Sequence, residues 1–197
     1  MSVFWGSNFS EDSTLSDPKR NFRFKVMFTT GLTENFLWWA KSATKPSFTI
    51  ATAEHKYLNH TFYYPGTVTW NDVTITMVDP GDPDMAATLS GLLQGGGYKV
   101  PESADELNTM TKATAATALG VVQIIQMDAT GQETLEQWQL KNAFISDIKY
   151  GDLSYGNDDL TEMSITLKYD WATLTTPDTA GSIATADAGA KSFFPSA

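Results

Sequence analysis

His55 and His60 are the only two histidines of the chain, and histidine is the side chain most often recruited to bind a metal or to act as a base near neutral pH. A spacing of five along one strand would put them on opposite faces, where they cannot share a metal without a bend. Asp79-Pro80-Gly81-Asp82-Pro83-Asp84 has carboxylates for a hard cation. It lacks the D-x-D-x-D-G spacing of a calcium loop, and two prolines stiffen it, so a turn leading into a helix is the better reading. Gly95-Gly96-Gly97-Tyr98-Lys99 lacks the Gly-Lys-Ser/Thr ending that cradles phosphate and reads as a flexible loop. No serine stands in a context that marks a triad with either histidine. Cysteine is absent, which removes thiol nucleophiles, thiolate metal sites and disulfides. No catalytic residue, cofactor or metal site is expected.

The elements that would carry any site are mostly strands. The clearest is Glu162 to Trp171: Met163, Ile165, Leu167, Tyr169 and Trp171 fall on one parity, and Glu162, Ser164, Thr166, Lys168 and Asp170 on the other. Successive strand side chains point to opposite faces, so this segment has a dry face and a wet one. Phe22 to Phe28 alternates in the same way, and Phe36 to Ala40 reads as a short second strand. From Phe48 the pattern is mixed on both faces and closes at Pro65-Gly66, which predicts a hairpin projecting from the body. Val68 to Met77 reads as one long strand with a bulge at Asn71-Asp72, because the apolar parity shifts there. Asp82 is expected to cap a helix that starts at Pro83 and runs through Leu92. Residues 104–118 are either a weak second helix or a surface excursion. Val121 to Met127 is apolar on both parities, as a covered strand would be, and Trp138 to Tyr150 reads as one long strand.

At 197 residues the chain fits one domain with arms. Residues 1–20 and 175–197 are polar or low in complexity and read as N-terminal and C-terminal arms around a body at 21–174. No apolar run approaches the roughly 20 residues that span a bilayer, and the start of the chain lacks the pattern of a secretory signal. Net charge is −10; residues 1–60 hold seven bases against five acids, so the remainder is strongly acidic. Affinity for phosphate comes from Lys and Arg, so tight nucleic-acid binding is excluded. A basic end meeting an acidic end of another copy is one consequence of the asymmetry.

The order of the parts is informative. Lys41-Ser-Ala-Thr-Lys-Pro-Ser47 opens the hairpin, and Gly66-Thr-Val-Thr-Trp-Asn-Asp-Val-Thr-Ile-Thr-Met77 leads through the acidic turn into the helix. Trp138-Gln-Leu-Lys-Asn-Ala-Phe144, the turn from Ile148 to Tyr155, and Met163 to Trp171 follow. Over roughly residues 20–174 this order resembles the tail tube proteins of contractile-tailed bacteriophages. The resemblance implies a mainly β fold, a β-sandwich or half-barrel with one flanking α-helix, that forms a continuous β-barrel when copies, typically six, close into a ring. It implies stacking of rings head to tail into a virion tail tube, with tail sheath and baseplate proteins as partners. Viral DNA would pass through without specific binding, and no membrane partner is implied.

Under that resemblance Glu162, Ser164, Thr166, Lys168 and Asp170 would face the channel. Contacts between subunits or rings would fall to Lys45, Ile50, Tyr57, Leu58 and Phe62 of the hairpin and to Phe4, Trp5, Phe193 and Phe194 of the arms. Lys168 is the awkward base on this wall and calls for an acid, Glu162, Asp170 or a neighbour's; if the strand from Glu162 faced elsewhere, Asp72, Asp147 and the other strands would supply the acidic lining. A related tube initiator or baseplate tube protein is one alternative. Another is a monomeric sandwich that binds a ligand such as carbohydrate through Tyr57, Tyr63 and Tyr64. A hydrolase with an unrecognised site is the third.

Overall fold

A computed structural model describes residues 19–28, 40–82, 84–102, 107, 109–131, 133–156, 158–176 and 191–193. The strands are β1 (Phe24–Phe28), β2 (Ala40–Ala43), β3 (Phe48–Tyr57), β4 (His60–Trp70), β5 (Val73–Val78), β6 (Val122–Met127), β7 (Thr134–Lys141), β8 (Phe144–Lys149), β9 (Glu162–Lys168), β10 (Trp171–Thr176) and β11 (Lys191–Phe193). Helices α1 (Met85–Gly95) and α2 (Lys112–Leu119) lie between β5 and β6. A five-stranded sheet has the order β1-β6-β7-β10-β11, a four-stranded sheet the order β2-β5-β9-β8, and β3 and β4 form a ribbon of their own. All pairings are antiparallel. The fold is mainly β, a sandwich with flanking helices whose sheets are not closed.

Cross-strand register shows how the core is made. In the five-stranded sheet Val26, Ile124, Trp138 and Leu174 lie side by side, and Phe28, Val122, Leu140 and Ala172 form the next row. In the four-stranded sheet Ile75 pairs with Ile165 and Ile165 with Ile148, while Val73 pairs with Leu167 and Leu167 with Ile145. These faces meet in one cluster, which Met85 and Leu89 of α1 and Leu119 of α2 complete. α1 presents Met85 and Leu89 one turn apart on one side, as a helix that covers a core must.

Two strands read from the sequence as continuous are broken, and both breaks move the chain from one sheet to the other. Trp138 to Tyr150 divides at Asn142, whose φ is +53; β7 stays in the five-stranded sheet and β8 enters the four-stranded one. Glu162 to Trp171 divides after Lys168, with β9 in the four-stranded sheet and β10 in the five-stranded one. The two corners are fastened together. The Asp170 amide donates to the Lys141 carbonyl at 3.1 Å. The Asp170 carboxylate accepts from Asn142 Nδ2 at 2.8 Å and from Lys112 Nζ at 2.6 and 2.7 Å. The bonds from Lys112 and then Asn142 hold the Asp170 carboxyl below its ordinary pKa.

The stretch Val68 to Met77 divides in the same way. The shift at Asn71-Asp72 is no bulge, because β4 belongs to the hairpin and β5 to the four-stranded sheet. The helix cap also moves: Asp84, not Asp82, precedes α1, and its carboxylate accepts from the Ala87 amide at 3.0 Å. Gly96 caps the other end, so α1 outlasts the expected stop at Leu92. A second helix, α2, one of the two readings of residues 104–118, also flanks the sandwich and is capped by Thr111.

The third row of the five-stranded sheet turns polar, with Phe24 opposite Gln126 and Gln126 opposite Glu136. Gln126 and Glu136 are buried, and buried polar groups need partners. Glu136 accepts from Lys19 Nζ at 2.5 Å, Lys45 Nζ at 2.8 Å and Trp138 Nε1 at 2.5 Å. Gln126 accepts from Lys45 Nζ at 2.7 Å and donates to the Arg20 carbonyl at 3.1 Å. Burial alone would raise the Glu136 pKa. The bonds from Lys19, Lys45 and Trp138 outweigh it and bring the value down to about 2. One carboxylate thereby ties the start of the body and the base of the hairpin to β6 and β7.

The Glu136 carboxylate, with a folded pKa near 2 against an ordinary 4.5, contributes its full stability above pH 4.5 and loses it as pH falls towards 2. Glu136→Gln is expected to flatten the fall of Tm over that window and to cost about 1–2 kcal/mol at pH 7. Thermal melts of both proteins across the pH range check it, and equal slopes count against the lock. At Gly151, φ is +83 and a Cβ would lie 2.4 Å from the Glu162 carbonyl oxygen. Gly151→Ala should therefore destabilise by about 2–3 kcal/mol. Gly91→Ala, in the open on α1, should stabilise by about 0.5–1 kcal/mol. Denaturant titration of the two variants measures the contrast.

Candidate functional site

The β3–β4 ribbon is the first surface with an unmet need. Every residue of β3 is exposed, so neither face of the ribbon is covered by the body, as the mixed polarity of its sequence predicts. Its exposed apolar residues include Ile50, Tyr57, Leu58, Phe62, Tyr63 and Tyr64. Exposed apolar patches of this kind are common at sites of interaction. The ribbon turns at Leu58-Asn59, not at Pro65-Gly66, and β4 continues through that dipeptide to Trp70. Register slips between Ile50 and Thr52, and at this bulge a Cβ on Gly66 would come within 3.0 Å of the Ala51 carbonyl oxygen. Glycine lets the strands stay close there.

The turn corrects the reading of the histidines. His55 pairs with Phe62 and His60 with Tyr57, so both histidines lie on the ribbon face that carries Tyr57, Phe62 and Tyr64. A strand of constant direction would separate them; reversal at the turn brings them to one side. Among the described residues no three His, Asp or Glu gather as a metal site requires. The His60 ring instead meets Phe62 edge-on, with centroids 4.8 Å apart. Tyr63 lies on the opposite face, paired with Glu54, so the three tyrosines do not form one platform for a planar ligand. Leu58 sits at the tip, 89% exposed with φ +53, a conformation that normally goes to glycine or asparagine.

The ribbon is held only at its base. Phe48 packs edge-on against Trp70 at 5.1 Å, and Trp70 against Tyr169 at 5.9 Å. The Asn71 amide donates to the Ser47 carbonyl at 2.8 Å and its Nδ2 to Ser47 Oγ at 3.0 Å. Burial pushes the Tyr169 pKa up to about 12, with the Ser47 backbone opposing the effect and Asp72 adding to it. Lys45, placed by the sequence among contact residues, is bonded within the chain to Glu136 and Gln126.

The second surface is the outer face of the four-stranded sheet. Glu162, Ser164, Thr166 and Lys168 alternate along β9 with the core residues Met163, Ile165 and Leu167. Thr74 and Thr76 of β5 lie opposite Thr166 and Ser164, and Asp147 and Lys149 of β8 flank them on the other side. Charges at the two ends of β9 are paired: Lys41 donates to Glu162, and Lys168 Nζ lies 3.7 Å from Asp72. Glu162 holds the Lys41 pKa above its ordinary value. The acid that answers Lys168 is thus Asp72. Asp170 is not on this face at all; it sits at the corner described above. Across β5 and β9 the middle of the face carries the hydroxyls of Thr74, Thr76, Ser164 and Thr166, with Asp147 and Lys149 beside them on β8.

Phe4, Trp5 and Phe194 lie outside the described residues. The backbone of Phe193 belongs to β11, which pairs with β10 through Leu174 and Phe193. Part of the segment read as a C-terminal arm therefore adds a strand to the chain's own sheet. Among the described residues no helix is long and apolar enough to cross a membrane.

No protein-family model and no curated protein matches the chain. Solved structures do. A chain of the anti-feeding prophage cap, the tube terminating cap, superposes with a TM-score of 0.61 at 18% identity, covering 86% of this chain and 99% of that one. The sheath/tube terminator of the PVC extracellular contractile injection system gives 0.59 at 18% identity, over 82% and 99% of the two chains. Its sheath–tube complex in the extended state gives 0.58 at 18% identity, over 81% and 92%. The fold of this chain is the fold of tube-associated proteins in contractile injection particles.

Proposed function

We propose that this chain is a structural subunit of the tube of a contractile tail or injection particle, and not an enzyme. The observation that carries the reading is the open sandwich with a free ribbon. The four-stranded sheet ends in edge strands β2 and β8, and the ribbon exposes apolar residues on both faces. Exposed edges and apolar ribbons are liabilities in a monomer. Copies that join edge to edge turn four-strand sheets into one continuous wall and remove the edges. Ring closure, six-fold by the resemblance, places the hydroxyl face of β9 on the inside. Head-to-tail contact is heterologous and extends rings into a tube. Sheath and baseplate proteins are the outer partners, and the assembled particle is where the protein works.

A wall rich in threonine and serine, with Lys41 and Lys168 each paired to an acid, suits a conduit. Each unpaired Lys or Arg would hold a phosphate of passing DNA, and a ring multiplies the effect. Glu162, Ser164, Thr166 and Lys168 are the lining residues in this reading. Ile50, Tyr57, Leu58 and Phe62 make contacts between copies, with Phe4, Trp5, Phe193 and Phe194 supplying further anchors. A tube terminator is the second reading, favoured by the likeness to the cap and terminator structures.

Electron microscopy of the purified protein separates the readings: long rods for a tube subunit, discrete rings for a terminator, and monomers against both. Deleting residues 52–59 is expected to leave a folded protein that no longer polymerises; rods at the wild-type concentration would remove the ribbon from the contact. Particles carrying Ser164→Lys with Thr166→Lys should assemble normally and pass DNA at least about tenfold more slowly, since roughly twelve added charges line each six-fold ring. Unchanged transit would show that this face does not line the channel.

A further inference from the structure

The loop at residues 150–161, which joins β8 to β9, displays its apolar side chains outward. Leu153 is 88% exposed, Leu160 is 72% exposed and Tyr155 has no cover at all. With Asp152 and Asp159 these residues line an open cleft. The loop is a second exposed apolar patch, and its place in the fold identifies its occupant. Register puts Val73, Leu167 and Phe144 at one end of the four-stranded sheet, and Val78, Glu162 and Lys149 at the other. The ribbon leaves the first end, between β2 and β5; the cleft stands at the second. A ten-residue strand spans about 33 Å and a six-residue strand about 20 Å, so the ribbon tip reaches well beyond its own body. No copy can fill its own cleft with its own ribbon.

We infer that the cleft at 150–161 is the socket for the ribbon tip of a second copy of this chain, with Tyr57, Leu58 and Phe62 entering against Leu153, Tyr155 and Leu160. The inference rests on the head-to-tail reading above and names the partner surface that reading leaves open. Charge supports the pairing. The tip carries one base, Lys56, and one acid, Glu54, whereas residues 150–161 carry Asp152, Asp158 and Asp159 and no base. Two different patches on opposite ends of one subunit make a contact that propagates and does not close on itself as a pair.

The absence of cysteine makes a clean test. Leu58→Cys and Leu153→Cys proteins, both changed at exposed positions, are mixed at equal concentration and mildly oxidised. A disulfide-linked heterodimer well above the statistical half of all dimers is expected. A statistical mixture, or homodimers in excess, overturns the inference. Lys56→Glu in the first protein should slow heterodimer formation by about tenfold, and Asp152→Lys in the second should restore it. A loss without restoration overturns the charge pairing. The outcomes separate from those of the tube reading. Heterodimers from a chain that forms no rods keep the socket and reject the tube, while rods without selective heterodimers keep the tube and reject the socket.

Discussion

Everything in this fold depends on two strands changing sheets at one place. β7 hands over to β8 at Asn142 and β9 to β10 at Asp170, so each of two long chain segments belongs half to either sheet. Both transitions must occur at the same level, or neither pairing could run its length. Asp170 enforces this by taking bonds from Asn142 and Lys112 while its own amide reaches the Lys141 carbonyl. A corner that exposes backbone groups must satisfy them locally, and a single aspartate does so for both strands. Ala143 and Ala172 beside it are fully buried, where larger side chains would hold the sheets apart.

Because the sheets are joined at that corner, they do not need to close elsewhere. Helices α1 and α2 and the strand β8 cover one flank of the core. On the opposite flank the edges β1 and β2 come together, with the Lys19–Lys45–Glu136 cluster at one end of the seam. Among the described residues no further strand pairs with β2 or β8, which end the four-stranded sheet; in the proposed tube these edges would join neighbouring copies.

The ribbon lies at the other extreme. A two-stranded ribbon is marginal alone in water, and this one has aromatic contacts only where it meets the body, at Phe48, Trp70 and Tyr169. Beyond the bulge at Gly66 its order comes from its own pairing. Its apolar residues Ile50, Tyr57, Leu58 and Phe62 stay exposed. The wet face of β9 is the counterpart, with charges paired at its ends and hydroxyls between them.

Period-two alternation determined the dry and wet faces of β9, and its absence, apolar on both parities in β6 and mixed on both faces from Phe48, marked the covered strand and the projecting ribbon, since burial of a face imposes its pattern locally. Alternation is blind to which sheet a strand joins. Trp138 to Tyr150 keeps its parity through Asn142, so the sequence reads as one strand where the structure has two. Asp170 keeps parity with Glu162 but leaves the face, because its bonds come from residues 28 and 58 positions away. The shared face of His55 and His60, the pairing of Lys168 with Asp72 and the burial of Glu136 between two lysines were likewise decided by tertiary structure. Each depends on a chain reversal or a long-range contact, and no local spacing encodes it.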